Sequence, residues 1–194
     1  ARKIGRIESI QVEDLLERPA IKINTNNVEA ILANQVVLVT GGAGSIGSEI
    51  VRQVASFKPQ AIILMEIAES PLHDLIVDLR RKYPDLQFIP IISDVRNVDM
   101  VEEVFTEYHP TVVFHAAAYK HVPLMEDFPT QAIMANVLGT KNMADMAIKY
   151  NAKRFVMIST DKAVNPTNIM GASKRLCEMI VQCMEKVSAT DFVA

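Results

Sequence analysis

An α/β fold with a doubly wound parallel sheet is predicted by three observations. Apolar, β-branched runs recur along the 194-residue chain without the polar alternation of a half-exposed strand. Segments with apolar residues at helical spacing separate them. The first run, Val36 to Thr40, leads straight into Gly41, Gly44 and Gly47, and an amphipathic run follows with Ile46, Ile50, Val51 and Val54 on one stripe. Strand, glycine turn and helix in succession are the opening of a dinucleotide-binding unit. With right-handed crossovers, the expected strand order is 3-2-1-4-5.

Each glycine has a separate physical reason. The turn needs a residue tolerant of positive φ at Gly41, a pyrophosphate needs backbone without a Cβ at Gly44, and helix and strand pack closely over Gly47. The first-turn amides around Ser45 and Ile46 then point at the phosphates as unpaired donors. No Gly-Lys-Ser/Thr follows, which excludes a P-loop. The Gly-x-x-Gly-x-x-Gly spacing resembles that of short-chain dehydrogenase/reductase proteins.

Composition narrows the class. An apolar fraction of 49% with 22% charged residues is ordinary for a globular protein with a substantial core. The 20 basic and 23 acidic residues leave a net charge of −3 with no long basic run, so nucleic acid is not the expected partner. Cys177 and Cys183 fall on different faces of one predicted helix and cannot readily bridge, which fits a reduced, cytoplasmic setting. No apolar run approaches the ~20 residues that span a bilayer, and no signal peptide is visible. The chain begins at Ala1 and stops at Ala194, where an apolar strand is starting. It reads as a fragment of a longer protein.

Residues 1–35 are expected to form a linker or arm, with one short helical candidate at Val12 to Glu17, and residues 36–194 the dinucleotide-binding domain. The second strand, Ala61 to Glu66, ends in an acid about 20 residues past the glycine turn, where such folds bind the adenosine ribose hydroxyls. Its charge would repel a 2′-phosphate, so NAD is favoured over NADP; Glu69 is a competitor for the role. Ser70 is an N-cap candidate for the next helix, with Pro71 in its first turn, a stripe of Leu72, Leu75, Ile76 and Leu79, and Pro84 closing it. A third strand, Phe88 to Ile92, leads to Asp94 and Val95. The Asp94 carboxylate can accept from the adenine amino group while the Val95 backbone meets the ring; equally, Asp94 can cap the following helix.

Val98, Val101, Phe105 and Tyr108 mark that helix. A fourth strand over residues 111–118 ends in Ala116, Ala117 and Ala118, small enough for a cofactor to run past. His115 in it reads as a hydrogen-bonded core residue rather than a catalyst, and no second His or Cys stands at metal-ligand spacing to it, so no metal is expected. Residues 119–126 read as a polar loop at the ligand-binding end. A helix through Asn136, Gly139, Thr140, Met143 and Met146 follows, its methionines suited to core or interface. The fifth strand, 154–159, delivers Thr160, Asp161 and Lys162, and the next helix carries Met170 and Lys174. An acid, cations and a hydroxyl beside the predicted nicotinamide form an acid–base constellation.

Three stretches in order, Thr40 to Glu49, His115 to Glu126 and Ser159 to Arg175, resemble the CapD-type polysaccharide-biosynthesis proteins. These are extended short-chain dehydrogenases that act as UDP-N-acetylglucosamine 4,6-dehydratases. The resemblance runs from about residue 36 to 194, and residues 4–33 resemble the segment that joins the transmembrane part to the catalytic part in long, membrane-anchored members. It implies bound NAD, a UDP-sugar substrate, a substrate-binding part beyond position 194 and a catalytic domain facing the cytoplasm; a homo-oligomer is expected separately, from methionine-bearing helices able to pair. The resemblance also implies roles: Asp161 as acid for the departing C6 hydroxyl, Lys162 as base for the C5 proton, Thr160 on the C4 hydroxyl, and Lys174 on the nicotinamide ribose and assisting the first proton transfer. The usual Tyr-x-x-x-Lys pair is incomplete, because Met170 stands where the tyrosine would be, as it does in the long members. A UDP-sugar 4-epimerase normally requires that tyrosine, and the Thr-Asp-Lys triplet favours dehydration over it. A non-catalytic NAD-binding module is the alternative of another class. Near neutrality, an acidic Asp161 needs its pKa raised by burial, which adjacent Lys162 opposes.

Overall fold

The computed structural model describes residues 25–194. Helix α1 (Thr25–Leu32) is followed by β1 (Val36–Thr40), α2 (Ser45–Ser56), β2 (Ala61–Glu66), α3 (Glu69–Lys82), β3 (Gln87–Ile92), α4 (Val98–Tyr108) and β4 (Val112–His115). Then come α5 (Val122–Asp127) and one helical stretch built from α6 (Pro129–Ala132), a π-helical segment (Ile133–Leu138) and α7 (Gly139–Lys149). The remainder is β5 (Arg154–Met157), a 3-10 turn (Asp161–Ala163), α8 (Ile169–Val187) and β6 (Asp191–Val193).

All strand pairs are parallel, in the order β3-β2-β1-β4-β5-β6. This is the expected order, extended by one strand formed from the apolar residues near position 194. The strand runs lack alternation because both faces are covered. Leu38, Ile63 and Val113 enter a core beneath α4, α7 and α8, while Val37, Val39, Ile62 and Leu64 enter a second core beneath α1, α2 and α3. Each such side chain taken fully from water contributes about 1.5–3 kcal/mol. Pro90 lies in β3, the edge strand, where a missing amide donor leaves no ladder bond unmade.

Several local expectations are corrected. The fourth and fifth strands are shorter than residues 111–118 and 154–159, because the chain turns away at Ala116 and Ile158 to form the groove described below. The stretch expected as a loop at 119–126 contains helix α5, with Pro123 in its first turn, where a missing amide costs no bond. Ser70 is not the cap of α3: the helix begins at Glu69 after Ala68, and the Ser70 hydroxyl donates to Glu69 instead. Ile46 is 55% exposed rather than part of the buried stripe of α2, since its place in the first turn lies beyond the sheet at the groove. Val98, in the first turn of α4, is likewise exposed. Helix α1 was not expected, and it packs through Leu32, Val28 and Ile31 on the second core. The helical candidate at Val12 to Glu17 lies outside the described residues.

Candidate functional site

A groove of about 450 Å³ opens at the C-terminal ends of the strands. Its floor begins with the glycine turn. Gly41 has φ +64°, and a Cβ there would stand 2.8 Å from the Ala117 amide nitrogen; only glycine suits both the conformation and the approach. A Cβ on Gly47 would fall 2.0 Å from the Gly41 carbonyl oxygen. Gly44 differs, because a Cβ there would meet only that same oxygen, at 3.3 Å, and otherwise face open space. Gly44 is also the N-cap of α2 and offers no side chain to its first-turn amides. The start of α2, with Ser45, Ile46 and Gly47 in the groove wall, is therefore an uncapped set of donors suited to a diphosphate.

Glu66 ends β2 within the groove. Its Oε2 accepts from the Ala43 amide at 3.2 Å, and Oε1 accepts from the amides of Ile67 at 2.9 Å and Ala68 at 3.2 Å. The carboxylate thus joins the glycine turn to the start of α3, with lone pairs left for ribose hydroxyls. Glu69 is not in the groove wall.

Asp94 and Val95 form the next part of the wall. Asp94 Oδ1 accepts from the Arg96 amide at 2.9 Å, and Oδ2 accepts from Arg96 Nε at 2.9 Å and Nη2 at 2.6 Å. Partial burial pushes the Asp94 pKa up, but the Arg96 hydrogen bonds and charge outweigh it and hold the carboxyl below its usual value. Asp94 does not cap α4. Asn97 does, accepting from the Met100 amide at 3.2 Å.

Ala116, Ala117 and Ala118 line the middle of the groove. Next to them His115 is fully buried, its Nδ1 2.7 Å from Thr40 Oγ1 and its Nε2 3.0 Å from Thr140 Oγ1. Burial, with a smaller contribution from the Lys174 charge, lowers its pKa to about 3. It is a neutral, hydrogen-bonded core residue outside the groove wall, as expected.

The reactive groups gather past β5. Thr160 and Lys162 line the groove and Asp161 does not. Thr160 Oγ1 donates to Asp161 Oδ1 at 2.9 Å and accepts from the Lys162 amide at 3.3 Å, and Lys162 Nζ is 3.4 Å from Asp161 Oδ1. The Asp161 side chain is 87% exposed. The Thr160 hydrogen bond first, then the Lys162 charge, holds its carboxyl below the usual range. The raised pKa that an acid role demands is thus absent from this state.

Lys174 is almost fully buried and donates to the Ile158 carbonyl at 2.7 Å. Burial lowers its pKa, partly offset by the influence of Cys177 and Glu178. One turn earlier, Met170 is 3% exposed and packs with Met125 and Ala132, with Tyr119 against them. The turn that presents Met170 is fixed from two sides. Asn168 accepts from the Gly171 amide at 2.8 Å, and Glu126 Oε1 accepts from the Ile169 amide at 2.6 Å.

Asn136 had no role assigned from sequence. It is buried in the π-helical segment, accepts from the Tyr119 amide at 2.7 Å, and donates to the Tyr119 carbonyl at 3.0 Å and Ser173 Oγ at 2.9 Å. A polar residue on the apolar stripe of a predicted helix was the signal for it. Ile67, Ser93, Tyr119 and Lys120 also line the groove, findable as the residues just past the ends of β2, β3 and β4. Among the described residues no group of His, Cys, Asp and Glu could hold a metal ion, and no helix is long and apolar enough to cross a membrane.

Comparison with known proteins follows the same outline. The family profile described as "Polysaccharide biosynthesis protein" matches residues 37–194. The chain is 47% identical over 194 residues to the capsular polysaccharide biosynthesis protein CapD of Staphylococcus aureus, covering 99% of this chain and 32% of that protein. It is 44% identical to the probable polysaccharide biosynthesis protein EpsC of Bacillus subtilis, covering 100% and 32%. A UDP-glucose 4-epimerase of Rickettsia canadensis is 38% identical over 157 residues, 77% of this chain and 43% of that one. The crystal structure of Pen from Bacillus thuringiensis superposes with a TM-score of 0.76 at 33% identity, over 83% of this chain and 51% of that one. The chain spans about a third of the length of the first two relatives.

Proposed function

The chain belongs to the polysaccharide biosynthesis protein family, and on that premise we propose that it is the NAD-binding part of a nucleotide-sugar 4,6-dehydratase. Its substrate on this reading is UDP-N-acetylglucosamine. Residues 36–194 are the dinucleotide-binding domain and residues 1–35 an arm, with the uridine diphosphate held largely by residues beyond this chain. The resemblance of residues 4–33 to a joining segment supports an anchor preceding them, and on this reading the domain works at the cytoplasmic face.

The residues fit the cofactor. The uncapped start of α2 takes the diphosphate, Glu66 the adenosine ribose, Asp94 and Val95 the adenine, and Lys174 the nicotinamide ribose. When bound, NAD supplies a hydride acceptor for sugar carbon 4 and a hydride donor for carbon 6.

One observation carries the dehydratase reading. Thr160 and Lys162 line the groove and both contact Asp161, while Met170 fills the place of the usual tyrosine with a thioether that accepts no proton. Loss of water across carbons 5 and 6 needs a base at C5 and an acid at the C6 hydroxyl. The Asp161–Lys162 contact at 3.4 Å supplies both in one pair. Its neutral tautomer, a carboxylic acid beside an amine, gives the Asp161 proton to the leaving hydroxyl and takes the C5 proton on Lys162. The pair ends as carboxylate and ammonium, and one proton moving from Lys162 to Asp161 resets it. A sugar that covers the exposed Asp161 excludes water and favours the neutral tautomer, because two buried charges cost more than two buried dipoles. Thr160 hydrogen-bonds the C4 hydroxyl.

The test is incubation of the full-length protein with UDP-N-acetylglucosamine and NAD, following loss of one water by mass spectrometry, beside Asp161→Asn. Water loss that disappears in the variant is expected. Intact sugar nucleotide with NAD still bound overturns the reading, and a change of configuration at C4 in its place identifies an epimerase.

A further inference from the structure

The Arg96 guanidinium lies outside the groove wall, yet it grips a residue inside that wall. Through Nε and Nη2 it donates to Asp94 Oδ2, and through Nη1 it donates to Gln131 Oε1 at 2.9 Å. Its backbone is held too: Asn142 Nδ2 donates to the Val95 carbonyl at 3.1 Å and the Arg96 carbonyl at 3.4 Å. Val95 sits against Gly139, where a Cβ would fall 2.6 Å from Val95 Cγ2. The segment 94–96 is therefore fastened at three points to the helical stretch from Gln131 to Asn142. Arg96 thus holds both carboxylate oxygens, Oδ2 through its guanidinium and Oδ1 through its backbone amide, which fixes direction as well as charge.

We propose that Arg96 is a positioning residue for adenine recognition. It orients the Asp94 carboxylate toward the 6-amino group of the bound dinucleotide and ties that orientation to the helix through Gln131. This rests on the reading of the groove as an NAD site. Arg96 stands outside the groove wall while Asp94 lies in it, so the effect of Arg96 on binding runs through Asp94 and is confined to the base.

The experiment measures, by calorimetry on the full-length protein, the affinities for NAD and for nicotinamide hypoxanthine dinucleotide, which carries a carbonyl where NAD has the 6-amino group. Wild type is expected to prefer NAD by about tenfold, the discrimination of one hydrogen bond to a charged group. Arg96→Ala is expected to bring the ratio to within about twofold of unity, with affinity for the hypoxanthine analogue nearly unchanged. Gln131→Ala, which leaves the Arg96–Asp94 contact in place, should lower the ratio by a smaller factor, and Arg96→Lys should restore part of it. An unchanged ratio in Arg96→Ala overturns the proposal, as does wild type without preference. Failure of either dinucleotide to bind wild type sinks the NAD reading itself, and equal weakening of both ligands in Arg96→Ala with a lowered melting temperature makes Arg96 merely structural.

Discussion

The Lys174 ammonium donates to the Ile158 carbonyl across 2.7 Å, so a buried cation ties α8 to the end of β5. Lys174→Met keeps the stem and removes the charge. The lost hydrogen bond and the relieved burial penalty oppose each other, so stability should change by less than about 1.5 kcal/mol. Turnover should fall at least about 100-fold, as for loss of a group that assists proton transfer. Thermal denaturation beside the water-loss assay checks both, and a variant that unfolds would make Lys174 a structural residue.

Gly47 and Gly44 separate fold from binding. Gly47→Ala puts a methyl 2.0 Å from the Gly41 oxygen, and forcing the helix off the turn should cost about 2–3 kcal/mol. At Gly44 the same methyl meets its nearest neighbour at 3.3 Å. Gly44→Ala should keep the melting temperature within a few degrees and weaken NAD about tenfold or more. Calorimetric titration and melting curves on the two variants distinguish them.

Met170 packs, and nothing in its chemistry moves a proton. Met170→Leu conserves volume and should cost under about 1.5 kcal/mol, with turnover within about twofold of wild type. A loss of turnover at unchanged stability would assign the thioether a part in the reaction.

His115 makes stability fall with acidification. Its folded pKa is lowered to about 3 by burial, while the unfolded chain takes up the proton near 6.5. The unfolded state therefore binds more protons in that window. The contribution is complete above pH ~6.5 and is lost as pH falls toward 3, with a slope of up to about 1.4 kcal/mol per pH unit. Urea midpoints across that range should show the slope in wild type, and His115→Gln should flatten it.

The sequence was informative where one residue type answers one physical need. Unalternated strands announced a sheet covered on both faces, and Gly41 and Gly47 fell at contacts that require them, while Gly44 fell at the open start of α2. Glu66 and Asp94 lie in the groove because strand ends are where this architecture places ligands. What escaped detection depends on partners far along the chain. Asn136 acquires its meaning from Tyr119 and Ser173, and Arg96 from Gln131, none of which spacing reveals. Helix α1 was missed because Val28, Ile31 and Leu32 are too few to show a period. Asp161 could be located from its motif, but its exposure, and so the direction of its pKa, could not.

The sheet order also dictates how the chain must assemble. β1, β2 and β3 follow one another along residues 36–92, with the Gly41–Gly47 turn and Glu66 among them. This half can pair as it leaves the ribosome. β1, however, is an interior strand, and its other edge waits for β4, reached through a contact such as Thr40 to His115, 75 positions apart. Until then β1 presents an open row of amides and carbonyls, and Leu38, Ile63 and Met65 face water instead of α4, α7 and α8. Synthesis stalled before residue 112 would leave a sticky, unpaired edge at what becomes the centre of the sheet. The late arrival of β4 therefore leaves an interior edge exposed to aggregation until residues 112–115 are made.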